Sequence, residues 1–176
     1  MHIRAEAWKG FVAGAAGGLA AAFVMDQFQH AWSKASQAMH NGHKKQRPQQ
    51  EPQKQPPEPD ATMRAAEKIS EKVLKHPLSI EQQKKTGPWI HYAFGAIMGG
   101  LYGVATEYVP QVKSGSGLAF GAVLFVGADE IAVPAFRLSK PAWKAPLSSH
   151  VYGLASHFVY GTTAERVRRE VRRALA

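Results

Sequence analysis

"WIHYAFGAIMGGLYGVAT", Trp89–Thr106, runs eighteen residues without an Asp, Glu, Lys or Arg. As an α-helix it would be ~27 Å long, close to the ~30 Å of a bilayer's hydrocarbon core. Glycine rather than leucine sets its rhythm: Gly95, Gly99 and Gly103 recur every four residues. In water an interior glycine weakens a helix by up to ~1 kcal/mol relative to alanine. In a bilayer, where association depends on packing, a glycine stripe lets two helices approach closely. The stretch therefore reads as a membrane-spanning helix with a packing face.

Three further apolar segments share this character: Trp8–Phe28, Gly117–Phe136 and Pro146–Ala164. Each is about as long as a span requires, at ~20 residues. The glycine spacing returns as Gly10, Gly14 and Gly18 in the first and as Gly117 and Gly121 in the third. Trp8, Trp32, Trp89, Tyr108 and Trp143 lie near segment ends, where interfacial aromatics belong. The expected fold is all-α: a four-transmembrane-helix bundle, with the first span in residues 1–28 and spans two to four in residues 89–165. The N-terminal apolar run is read as a retained helix or signal anchor, because Asp26 and Gln/His-rich sequence follow where a small-residue cleavage site would sit.

Composition narrows the possibilities. The 176 residues carry 22 Lys and Arg against 13 Asp and Glu, a net charge of +9. Such an excess fits nucleic acid, an anionic membrane surface or the flanks of membrane helices. The absence of cysteine excludes disulfides, thiolate metal sites and a cysteine nucleophile. A mean hydropathy of −0.27 looks soluble only because apolar and polar residues are segregated. The polar share is concentrated in residues 29–59, rich in Gln, Pro and Lys and expected to be disordered. Residues 60–88 follow as an amphipathic surface helix and linker. There Met63, Ala66, Ile69 and Val73 oppose Arg64, Lys68, Glu71 and Lys72, a pattern that suits either a membrane surface or packing on the bundle. Residues 166–176 form a basic tail, most of it in "ERVRREVRR" (Glu165–Arg173), read as a lipid-headgroup anchor ahead of a nucleic-acid contact.

The chain repeats itself. "YGVATE" (Tyr102–Glu107) returns as "YGTTAE" (Tyr160–Glu165), and "GFVAGA" in the first segment matches "GLAFGA" in the third. Two copies of a helical hairpin, with the insert only in the first, account for this. Copies of two spans each share one orientation, related about an axis along the membrane normal.

Antiparallel connectivity then sets depth. Asp26, His91, Asp129, Glu130, His150 and His157 all fall in the half of the bundle nearer the insert and the connection "RLSKPAWK". Glu107 and Glu165 fall at the opposite boundary, beside Lys113 and Arg166. An isolated charge in hydrocarbon costs at least several kcal/mol, so such groups face the interior and find partners. In "GADEIAVPAF", Pro134 has no N–H and would leave the Glu130 carbonyl without its helical donor. The six near-half groups are candidates for binding protons, ions or a small solute. They serve equally as a polar lock on helix register. A zinc or iron site from Asp129, Glu130, His150 and His157 is a weaker reading, since no H-E-x-x-H spacing is present. His40 and His43 read as solvated loop histidines. Ser156 beside His157 is no nucleophile–base pair, because adjacent helical residues point apart.

Four passages, "AAEKISEKVLKHPLS", "HYAFGAIMGGLYGVATEYVP", "GLAFGAVLFVGADEIAVP" and "HVYGLASHFVYGTTAERVRR", together resemble the YagU-like family of small bacterial inner-membrane proteins, whose function is not assigned. The resemblance implies a multi-pass protein of the inner membrane and supplies no catalytic residues. The Gln/Pro-rich insert departs from a compact member of that family.

The expectation is thus a non-enzymatic multi-pass membrane protein whose carboxylate/histidine cluster binds or relays protons, ions or a small solute. The alternatives are a membrane scaffold that recruits a partner, and a metal-dependent membrane enzyme. Expected partners are the lipid bilayer and a second copy or another membrane protein; no nucleic acid and no cofactor are expected. Of the 22 Lys and Arg, 8 lie on the side of the termini and 14 on the side of the insert; positive-inside counting favours a cytoplasmic insert side without settling the orientation, because the insert is about as long as the rule tolerates (~60 residues).

Overall fold

The computed structural model describes residues 6–43 and 59–176. Five helices make up the fold, with no strand among the described residues: α1 (Ala7–His43), α2 (Ala61–Ile69), α3 (Ile80–Tyr108), α4 (starting as Leu118–Leu124) and α5 (Leu147–Ala174). Helix α2 ends in a π-type turn over Ser70–Leu74. Helix α4 continues as a π-helix over Phe125–Ala132 and closes with a last turn, Val133–Ala135.

Helix α1 is the hub, packing against α3 on one side and α5 on another, while α4 packs on α5. Its contact with α3 is glycine on glycine. A Cβ placed on Gly10 would lie 2.7 Å from the Gly103 carbonyl oxygen, and one on Gly18 would lie 2.2 Å from that of Gly95. The α4–α5 pair meets the same way, with Gly117 and Gly121 against Gly161 and the His157 backbone. Gly117 is required twice over, because its φ of +94° also lies where side chains are strained. Gly17 against the Ala164 carbonyl joins α1 to α5. Stacking of Tyr102 on Phe120, ring centroids 4.1 Å apart, brings α3 and α4 together. The core between them is Ala21, Ala22, Met25, Leu124, Tyr160 and Ala164.

What faces outward is the larger apolar set. Trp89 is 75 % exposed and Val123 70 %, with Phe23, Ile97, Leu101, Val126 and Ile131 also exposed, whereas Glu165 and Ser156 are 0 % exposed. Soluble domains bury the former and expose the latter. Two helical segments, Ala7–Met39 and Pro110–Ala135, are long and apolar enough to cross a membrane, rather than the four expected. The other two helices also lack charge over most of their length, but Gly, Tyr, His, Ser and Thr dilute their apolar content.

Several boundaries differ from the sequence reading. Helix α1 does not stop at Phe28 but continues to His43, since residues 29–41 contain neither proline nor glycine. Residues 29–43 of the expected disordered insert are therefore helical. Residues 44–58 lie outside the described residues, as do the side chains of His40 and His43. Helix α3 starts ahead of Trp89, at a capping box between Ser79 and Gln82. It carries Pro88 inside. The basic tail is not separate, because α5 runs on through Ala174.

Helix α2, capped by Asp60 Oδ1 accepting from the Met63 N–H at 2.8 Å, lies on α3 with Met63 and Ala66 buried. Ile69 and Val73 of the same face stay exposed. Lys68 reaches the far end of α4, donating to the Phe136 carbonyl at 2.6 Å.

Candidate functional site

Asp129 and Glu130 sit where α4 widens. The Val133 N–H donates to the Ala128 carbonyl, five residues back rather than four. The π register ends directly ahead of Pro134, so it shifts which carbonyl loses its donor to the proline. π-turns recur at functional sites because they re-aim side chains. Here they send two adjacent acids to histidines two turns apart on α5. His150 Nδ1–H donates to Glu130 Oε1 at 2.8 Å. Asp129 Oδ2 lies 3.7 Å from His157 Nδ1. That nitrogen donates at 2.9 Å to the Gly153 carbonyl, which fixes its proton on Nδ1.

The third pair joins α1 to α3. His91 Nε2 stands 3.4 Å from Asp26 Oδ1, buried and without an aligned hydrogen bond. The Tyr92 hydroxyl donates to Asp26 Oδ2 at 2.8 Å. Asp26 is not a helix end but a mid-helix residue, sixteen residues after Gly10 and so ~24 Å further along α1.

The six near-half residues therefore come together as three histidine–carboxylate pairs, Asp26–His91, Glu130–His150 and Asp129–His157. His157 is buried, Asp129 exposed and the remaining four half-buried. Among the described residues no three His, Asp or Glu side chains gather as metal ligands do.

The opposite end holds a denser network. Glu165 accepts from the Tyr102 hydroxyl at 2.9 Å, from Arg168 Nε and Nη2 at 2.7 and 2.9 Å, and from Arg169 Nε. Arg172 forks onto Glu107, Nε at 2.8 Å and Nη2 at 3.1 Å, and the Glu6 N–H also donates to Glu107. The hydrogen bond to Glu107 holds the Arg172 guanidinium above its ordinary pKa, and that to Glu165 does the same for Arg169. Lys113 and Arg166 are not the partners of these acids; Arg168, Arg169 and Arg172 are. The buried face of "ERVRREVRR" is thus turned inward on carboxylates. The repeat singled out Tyr102 without its partner, and sequence reasoning passed over Arg168 and Arg172. Their signal was the spacing of Arg168 and Arg169 three and four residues after Glu165, and of Arg172 one turn beyond Arg168. Tyr160 also ties α5 to α3, donating to the Gly95 carbonyl at 2.6 Å.

Fold and site together define a helical bundle with glycine-packed helices, an apolar exterior and an interior of paired charges. The chain belongs to the family described as "Protein of unknown function (DUF1440)", which matches residues 35–166. No curated protein and no solved structure matches it significantly.

Proposed function

We propose that this chain is a multi-pass protein of the bacterial inner membrane, of the YagU-like kind, whose histidine–carboxylate pairs take up and pass on protons or a small cation. The observation that carries the membrane half is the inverted burial, with Trp89 and Val123 outside and Glu165 and Ser156 inside. Water would leave such a surface prone to association, whereas lipid solvates it. In this reading α3 and α5 span alongside α1 and α4, their weak apolar content shielded by contacts with α1.

The relay half rests on composition and placement. Imidazole and carboxylate exchange protons near neutral pH, and a carboxylate beside a histidine tunes both. Asp129 is exposed on one side and paired with His157 on the other, as a group that hands a proton inward needs to be. Glu130–His150 and Asp26–His91 lie in the same half of the bundle.

A second reading has its own support. Each acid already has a partner, and His157 has committed Nδ1 to a backbone carbonyl. Such pairs hold helices in register without moving anything, and the protein is then a scaffold. Purified protein in liposomes loaded with a pH-sensitive dye separates the two. The relay predicts that wild type dissipates an imposed pH gradient and that Asp129→Asn and His157→Asn abolish this while keeping their melting temperatures within a few degrees. Unchanged flux in both folded variants defeats the relay, and loss of stability without any wild-type flux favours the lock.

A further inference from the structure

The far end of the bundle holds cations that the relay leaves unused. A cleft of about 270 Å³ opens there between the turn after α3 and the end of α5. Five cations line it: Lys113, Arg168, Arg169, Arg172 and Arg173. Three carboxylates answer them, Glu107 with Arg172, Glu165 with Arg168 and Arg169, and Glu170 with Arg173. A surplus of positive charge therefore faces the cleft.

The arginines are held rather than free. Arg168 is 4 % exposed and Arg172 8 %, each gripped through Nε and Nη2. That grip leaves the Nη1 donors of both, and the two terminal nitrogens of Arg169, outside the ion pairs. Lys113 lies across the cleft from them. Arg169 also lines an adjoining cavity of about 540 Å³, with Ser116, Thr163 and Arg166 on its wall. At ~30 Å³ per water, the smaller cleft alone has room for about nine waters. A group of five heavy atoms fits it with solvent to spare. Planar guanidinium donors held in place by buried acids suit a tetrahedral oxyanion, and Glu107, which also lines the cleft, is neutralised by Arg172.

We infer that this cleft binds a phosphate group, through Lys113 and the guanidinium nitrogens of Arg168, Arg169 and Arg172 that the carboxylates do not take. The phosphate comes either from an anionic lipid headgroup at this boundary of the bundle or from free phosphate in solution. The inference does not depend on the relay, since none of its residues belongs to the three histidine–carboxylate pairs.

The full chain, purified in a neutral detergent, is titrated with inorganic phosphate while its melting temperature is followed. In parallel, nanodiscs of zwitterionic lipid doped with phosphatidylglycerol are analysed for lipid retained on the protein after extraction. Lys113→Gln is the first variant, because Lys113 takes part in neither buried ion pair and its loss leaves folding intact. Lys113→Gln with Arg169→Gln is the second. A saturable rise in melting temperature with inorganic phosphate, weakened at least about ten-fold in the variants, supports a soluble phosphate ligand. Retention of phosphatidylglycerol over the zwitterionic lipid, lost in the variants and without a response to inorganic phosphate, supports a lipid headgroup. Absence of both responses overturns the inference. So does a response of equal size in wild type and in a folded Lys113→Gln protein.

Discussion

Gly14 of α1 and Gly99 of α3 meet backbone to backbone: a Cβ on Gly14 would stand 2.1 Å from the Gly99 carbonyl oxygen. Two effects of opposite sign act on Gly14→Ala. Helix propensity favours alanine by up to ~1 kcal/mol. Against that, the methyl has no room, and prying two helices apart costs about 1–3 kcal/mol. The clash wins, so Gly14→Ala lowers the melting temperature in detergent. Gly127→Ala is the matched control, because a Cβ there meets nothing within 4 Å. It leaves the melting temperature unchanged or raises it.

The polar contacts of α5 rank in a definite order. Glu165→Gln leaves the buried Arg168 without its counter-charge, and removing one member of a buried pair costs about 3–5 kcal/mol. Tyr102→Phe removes one hydrogen bond to a charged acceptor, about 1.5–3 kcal/mol. Tyr160→Phe removes one to a neutral carbonyl, about 0.5–1.5 kcal/mol. Arg173→Gln, in a pair about 70 % exposed on both sides, leaves unfolding unchanged. Denaturation of the four variants under one condition checks the order, and a Tyr160→Phe protein less stable than Tyr102→Phe contradicts it.

Part of this arrangement is legible in the residues. Glycines at four-residue intervals mark a face because helical periodicity alone determines which residues share it, and the structure places those faces in backbone contact. The two YGxxxE motifs pointed to Tyr102, Glu107, Tyr160 and Glu165 as a repeated set. They did not reveal that Tyr102 of α3 binds Glu165 of α5. Tyrosine and glutamate five apart lie on different faces of one helix, so their partners had to come from neighbours. Which neighbour depends on how each helix is rotated, and one sequence does not encode rotation locally. The same limit explains why six polar residues of similar depth read as one cluster yet settle into three pairs. The π-turn at Phe125–Ala132 decides where Asp129 and Glu130 point, and only Pro134 hinted at it.

Charge asymmetry makes a topology prediction. The 14 Lys and Arg on the insert side outnumber the 8 on the side of the termini. Positive-inside bias then keeps the insert, α2 and the "RLSKPAWK" connection in the cytoplasm and exports Arg168, Arg169 and Arg172. An alkaline phosphatase fused after Ala176 is expected to be active and a fluorescent protein at the same place dark. The reverse result would place the phosphate cleft on the cytoplasmic side.

Glu130 and His150 sit at the mouth of the near half, and the relay gives them a graded effect. Their pair is half-buried, with side chains 24 % and 28 % exposed, so its ion-pair contribution to stability is small. Glu130→Gln keeps a hydrogen-bonding group beside His150 but cannot take a proton. Proton transfer through a positioned group contributes roughly 10²–10⁴-fold to a rate. A mouth group that water can bypass retains less of this, so the expected loss of flux is about ten-fold, smaller than for Asp129→Asn. The melting temperature moves by no more than a few degrees. Proteoliposome flux and melting on the same preparation decide the matter. If Glu130→Gln destabilises the protein as much as Glu165→Gln does, the pair serves as a lock and the relay through the mouth is wrong.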